Sequence, residues 1–206
     1  MRSSKTTLPL NRIEALSGGI FAIAMTILVL NITIPENETV RQIGLHQALF
    51  EHINEFFSYF MSFFLLGLFW MIQRRQMSSL VETDQTHMWL IIIMLMFICL
   101  VPFSASLQSA YATDWMAALI FSGNMLIIGV LFLFIWHYAA TKHRLVQKEI
   151  STEDIILGKR NTWVFILVSI VAMGTSFVIP EYSNLFFLLI PVLKIAVSRN
   201  SVNRSR

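Results

Sequence analysis

Charge is scarce in this 206-residue chain, and no Asp, Glu, Lys or Arg lies near the centre of any of its apolar stretches. Proton pumps and many ion-coupled transporters keep an ionisable group at membrane depth, so the chain offers nothing for a proton relay. It has one cysteine, Cys99, in the middle of the run Met94 to Leu100. That excludes an internal disulfide and a thiolate metal site, and reads as a small core residue. The five histidines, His46, His52, His87, His137 and His143, lack metal-ligand spacing and read as interfacial polar residues. Glycine-rich phosphate loops are missing, as is the threonine-valine-glycine-tyrosine-glycine filter of pore-loop channels. Internal repeats are absent, and only Pro102 and Pro191 interrupt apolar segments, which gives an alternating-access transporter little support. With no nucleophile, base and metal set converging at one depth, an enzyme is not expected, and no cofactor is called for.

Apolar residues fill the space left by these absences. They make up 56% of the chain against 13% charged, and the mean hydropathy of +0.67 marks an integral membrane protein. Dividing at the charged clusters leaves six segments: Arg12 to Ile34, Ile53 to Ile72, Met88 to Ala110, Trp115 to Tyr138, Trp163 to Ile179 and Leu185 to Ala196. The last two are short for a hydrocarbon layer of about 30 Å. The expectation is an all-α membrane protein whose single domain, residues 1–206, holds six transmembrane helices. The first segment is too long for a signal peptide, and Ile34-Pro35-Glu36-Asn37 offers no small-residue cleavage site, so it is retained.

Fourteen of the fifteen Lys and Arg fall on one side of these segments: Arg2, Lys5, Arg12, Arg74, Arg75, Lys142, Arg144, Lys148, Lys159, Arg160, Lys194, Arg199, Arg204 and Arg206, with Arg41 alone opposite. The positive-inside rule then puts both termini and the loop from Lys142 to Arg160 in the cytoplasm, which requires an even number of spans. The basic clusters are topology signals rather than a nucleic-acid surface. Outer loops are acidic by contrast, with Glu36, Glu38, Glu51, Glu55, Asp114 and Glu181. Such a mouth concentrates cations locally, although acids are also what the rule leaves over for outer loops. Trp70, Trp89, Trp115, Trp136 and Trp163 fall near predicted helix ends, as interfacial rings do.

The first segment carries the most information. It opens with Arg12 and Glu14, read as an ion pair, and passes through Ser17-Gly18-Gly19. Spacings of four and three then bring Ile23, Ile27 and Leu30 to one face, with Thr26 beside them. That stripe fits a lipid-facing surface, a packing surface or the lining of a narrow dry pore, and spacing alone does not choose. The small Ser-Gly-Gly step fits close helix approach equally well.

The run Arg12-Ile-Glu-Ala-Leu-Ser-Gly-Gly-Ile-Phe-Ala-Ile-Ala-Met-Thr-Ile-Leu-Val-Leu30 resembles the first-helix signature of the transmembrane protein 175 family of potassium channels. That signature reads Arg, three variable residues, Phe-Ser-Asp, then Gly-(Val/Ile)-Phe-Ala-Ile-Ala and a Thr-Leu-Leu-Val-Leu run. Similarity continues through Ser62-Phe63, Trp70, Trp89-Leu90, Pro102-Phe103 and Trp136-His137-Tyr138-Ala139.

The resemblance implies a homotetrameric, potassium-permeable cation channel without a pore-loop filter. Its first helices line the axis, and potassium is preferred only modestly over sodium. It places the constriction at Ile23, a selectivity-related layer at Thr26, and further lining at Ile27 and Leu30. It also implies a network of Arg12, Ser17, Gly18, Trp70 and Gln73 supporting the pore helix. Two positions depart from the pattern: Gly18 stands where the family has aspartate, and Gln73 where it has histidine. Arg12 must then find another partner, Glu14 or Ser17. The implied partners are the bilayer, further copies of the chain and monovalent cations, and the simplest location is the plasma membrane. A transporter or lipid-handling protein and a non-conducting homologue are the alternatives.

Overall fold

The computed structural model describes residues 10–141, 144–147, 150, 152–191 and 193. The first helix, α1 (Leu10–Ile27), continues as a 3-10 helix over Leu28–Asn31. Two short helices follow, α2 (Asn37–Ile43) and α3 (Leu45–Glu51), hinged at Gly44, whose φ of 84° suits a residue without a side chain. Next come α4 (Ile53–Ser78), α5 (Gln85–Cys99), α6 (Val101–Ala110), α7 (Trp115–Ala140) and α8 (Thr152–Thr175), and then a 3-10 helix over Pro180–Leu188. All these elements are helical, and α1, α4, α5 with α6, α7 and α8 give five candidate spans by length and hydropathy.

Several boundaries differ from the sequence reading. α4 runs past Ile72 to Ser78, because Arg74 and Arg75 end the apolar stretch without ending the helix. α8 begins at Thr152 rather than Trp163 and ends at Thr175, so Lys159 and Arg160 are helical rather than in a loop. The third segment breaks at Leu100, where Pro102 opens α6 and has no N–H to give the preceding turn. The sixth segment starts as a 3-10 helix rather than an α-helix, with Ser183 Oγ donating to the Pro180 carbonyl at 2.7 Å. The rest of it, at 192 and 194–196, lies outside the described residues, as do Arg2, Lys5, Lys142, His143, Lys148, Lys194, Arg199, Arg204 and Arg206.

The core forms around α7. Its buried side carries small residues such as Ala118, Ser122 and Gly129, and at Gly129 the absence of a side chain lets Phe165 and Ile166 of α8 approach closely. Phe69 of α4 stacks on Phe132 of α7 with centroids 5.6 Å apart and meets Phe165 of α8 edge-on at 4.7 Å, and Phe121 and Phe187 extend the cluster. Trp136 is not interfacial: it is buried against Gly158, and its indole N–H donates to the Ile155 carbonyl at 3.2 Å. Trp70 and Trp163 also sit well inside their helices, because those helices extend beyond their apolar runs. Cys99 is exposed on the outside of the bundle, not in its core.

The basic ends of the helices are tied together. Val81 N–H donates to the Leu145 carbonyl at 2.9 Å and Gln147 N–H to the Ser79 carbonyl at 3.1 Å, joining the connections after α4 and α7. Beneath them Asp84 caps α5 through the His87 N–H at 2.9 Å, accepts from Tyr138 Oη at 2.8 Å and pairs with Arg144 at 3.2 Å. The Arg144 guanidinium also lies 4.5 Å from the Tyr138 ring centroid. His87 is buried beside this cluster, its ring 2.9 Å from Thr83 Oγ1, rather than interfacial.

The pore-helix candidate

α1 has two faces. Ile13, Ser17, Phe21, Ala24 and Leu28, spaced by four, four, three and four, are buried against the other helices of the protomer. Ile23, Ile27 and Leu30 point away from the protomer at 59%, 42% and 77% exposure, with Thr26 exposed among them. The four positions read from sequence therefore share one uncovered face. The change from α to 3-10 geometry after Ile27 sharpens the alignment, since residues three apart eclipse in a 3-10 turn and Leu30 stands over Ile27.

Thr26 Oγ1 donates to the Ile23 carbonyl at 2.9 Å. Its proton is thus engaged within the helix, and only lone pairs face outward, the polarity a cation needs. Isoleucine and leucine side chains above and below offer no hydrogen bonds, so a ring of them at a narrow radius dewets.

At the basic end Ser17, Gly18, Trp70 and Gln73 come together. With Glu14, Arg74 and Met77 they line a cavity of about 150 Å³ between α1 and α4. Ser17 Oγ donates to the Ile13 carbonyl at 2.8 Å. A Cβ added at Gly18 meets nothing within 4 Å, so the cavity has room for a side chain there. Gln73 is only 5% exposed, and its Nε2 has no hydrogen-bond partner.

Arg12 is not part of this cluster. It is exposed, and Glu14 pairs with Arg74 of α4 instead, so the expected pair of Arg12 with Glu14 or Ser17 does not form. The reason is geometric: residues two apart face different sides of a helix, while Arg74 stands across from Glu14.

The acidic end of α1 is anchored by residues that sequence reading missed. Asn31 Nδ2 donates to the Pro102 carbonyl at 2.8 Å, in the first turn of α6. Thr33 donates to Glu55 through its backbone N–H at 2.6 Å and its hydroxyl at 2.8 Å, with His52 Nδ1 2.8 Å from the same carboxylate. Two polar residues after an apolar run, Asn31 and Thr33, are the hint the sequence offers.

Residues 12–102 match the family model described as endosomal/lysosomal potassium channel TMEM175. A potassium channel of Chamaesiphon minutus is 31% identical over 70% of this chain and 72% of its own length. One of Streptomyces collinus is 30% identical over 64% of this chain and 66% of its own. The crystal structure of a lysosomal potassium-selective channel TMEM175 homologue from Chamaesiphon minutus matches with a TM-score of 0.80 at 27% identity, covering 91% of this chain and 97% of that one.

Proposed function

The chain belongs to the TMEM175 family, and from that premise we propose that it is a potassium-permeable cation channel whose first helix lines the pore. Four copies surround the axis, each presenting Ile23, Thr26, Ile27 and Leu30 to it, while the remaining helices stand between axis and lipid. The single domain sits in the plasma membrane and needs no resident cofactor, potassium being its cargo.

One observation carries this reading: the face of α1 that the protomer leaves uncovered is the one bearing the aliphatic stripe and Thr26, and the opposite face is fully packed. Mechanistically, the Ile23 ring sets the barrier by expelling water, and the Thr26 oxygens, a turn further on, supply acceptors to an ion that has shed part of its hydration. No cage of fixed carbonyls replaces the whole shell, so potassium is favoured over sodium only modestly.

A non-conducting homologue is the second reading, favoured by the orphaned Gln73 amide and the void beside Gly18. Planar-bilayer recording of the purified protein, with potassium on one side and sodium on the other, separates the two. Unitary currents reversing on the potassium side are expected, and Ile23→Asn raises the current by wetting the constriction. Near-absolute potassium selectivity, or currents indifferent to Ile23→Asn, moves the pore elsewhere; silence from folded protein favours the second reading.

A further inference from the structure

Away from α1, at the acidic end of the bundle, a small cavity of about 40 Å³ lies among the start of α4, the end of α6 and the Pro180–Leu188 helix. Asn54, Ser58, Gln108, Ser109, Glu181 and Asn184 supply its polar lining. Two of these side chains hold carbonyl oxygens that nothing in the protein satisfies, Gln108 Oε1 and Asn184 Oδ1, on residues 3% and 7% exposed.

The Gln108 amide is oriented by its neighbour. Ser183 Oγ gives its proton to the Pro180 carbonyl at 2.7 Å, so toward Gln108 it accepts, which turns Nε2 to Ser183 at 3.3 Å and leaves Oε1 as the free atom. The hydroxyls around the cavity are spent in the same way, Ser58 Oγ donating to the Ala105 carbonyl at 3.1 Å and Ser109 Oγ to the Ser106 carbonyl at 3.0 Å. Both keep only lone pairs. Glu181 adds a carboxylate, and α6 ends at Ala110, bringing the negative end of its helix dipole to the same place. Apart from the amide N–H groups of Asn54 and Asn184, and with the Gln108 amide N–H already given to Ser183, the lining is a set of oxygen acceptors short of a positive partner.

We propose that this cavity is a binding site for a hard cation, Ca²⁺ in particular, held by Glu181, Asn184 and Gln108. Carboxylate and amide oxygens are the ligands such ions take. Calcium accepts about six to eight of them in irregular geometry, whereas magnesium demands an octahedron and keeps its waters. With a single carboxylate the affinity falls in the range of about 10⁻⁴ to 10⁻³ M typical of extracellular modules. The ion ties the end of α6 to the Pro180–Leu188 helix beside the start of α4, and the site stands whether or not α1 conducts.

The test is thermal unfolding of the purified full-length protein in a zwitterionic detergent, titrated with CaCl₂ to about 10 mM against choline chloride of equal ionic strength. Wild type gains several degrees, saturably. E181Q, an isosteric change at an exposed position, weakens the calcium midpoint about tenfold. N184D, which adds a second carboxylate, tightens it by a similar factor. No calcium-dependent rise in wild type, an undiminished rise in E181Q, or an unchanged midpoint in N184D each overturns the assignment.

Discussion

Two polar clusters stand at the basic end of the bundle, and they are built to different standards. At the foot of α5, Asp84 receives the His87 N–H, the Tyr138 hydroxyl and the Arg144 guanidinium, and the connections above it are joined by backbone hydrogen bonds. At the foot of α1, Gln73 is buried with an unused donor, Gly18 leaves space, and Ser17 bonds only to its own helix. A satisfied network holds one arrangement, whereas a half-satisfied one beside a void has little reason to prefer a single arrangement. The scaffold is therefore fastened firmly at α5 and α7, and the helix assigned to the pore is held by its apolar stripe and by Asn31 at the far end.

The sharpest way to break that contrast is to remove the better network. Asp84→Ala leaves a helix uncapped and three donors without their acceptor, which costs about 3 kcal/mol of stability, read as a lowered thermal midpoint in detergent. A change below about 0.5 kcal/mol, the level of an ordinary surface substitution, contradicts the comparison. Burial by itself raises the Asp84 carboxyl, but the His87 N–H, the Tyr138 hydroxyl and the Arg144 charge together hold it below the ordinary aspartate value. Its stabilisation is therefore full above the unfolded value near pH 4 and disappears as pH falls through the lower folded value. Wild type loses stability on acidification through that window, and Asp84→Ala flattens the loss.

How much of this was visible beforehand depends on what spacing encodes. The Ile23, Thr26, Ile27 and Leu30 face of α1 was legible because a helix fixes which residues share a side. Which side the protomer covers was not, and the same limit put exposed Cys99 in the core and buried Trp136 at the interface. Ser17, Gly18, Trp70 and Gln73 were identified through resemblance, and they do line one cavity. Arg12, which the resemblance implies in the same network, is exposed outside that cavity, and the ion pair that its closeness to Glu14 suggests is absent because Glu14 meets Arg74 sixty positions away. The Gln108, Glu181 and Asn184 cluster is illegible in the sequence, since α6 and the Pro180–Leu188 helix, about seventy positions apart, meet only in the tertiary fold.

A pair of glycines sharpens the comparison at smaller amplitude. A Cβ at Gly129 of α7 lies 2.8 Å from Phe165 Cδ1 and 3.2 Å from Ile166 Cγ1, inside the tightly fastened part of the core. Gly129→Ala therefore destabilises by about 2 kcal/mol, because helix propensity does not offset the overpacking. A Cβ at Gly18 meets nothing within 4 Å. There the lost backbone freedom of the unfolded chain decides the sign, and Gly18→Ala stabilises by about 0.5–1 kcal/mol. Thermal unfolding of the two variants side by side checks this, and equal signs would show that the void at the foot of α1 is not spare room.

The smallest effect belongs to the one ion pair beside that void. Arg74 and Glu14 meet with side chains 56% and 37% exposed, so water screens the attraction and ordering two long side chains offsets much of what remains. Arg74→Gln keeps a polar side chain of similar character and removes the charge, for a loss of no more than about 0.5 kcal/mol in thermal unfolding. A loss several times larger would make the pair a true anchor of α1 and erase its contrast with Asp84. If α1 lines the pore as proposed, the charge has a second readout, because Glu14 lies in the first turns of that helix, at its basic end. Freed from Arg74, its carboxylate raises the local concentration of cations, and inward and outward single-channel currents become unequal at low ionic strength but converge as salt shortens the Debye length to about 10 Å at 0.1 M.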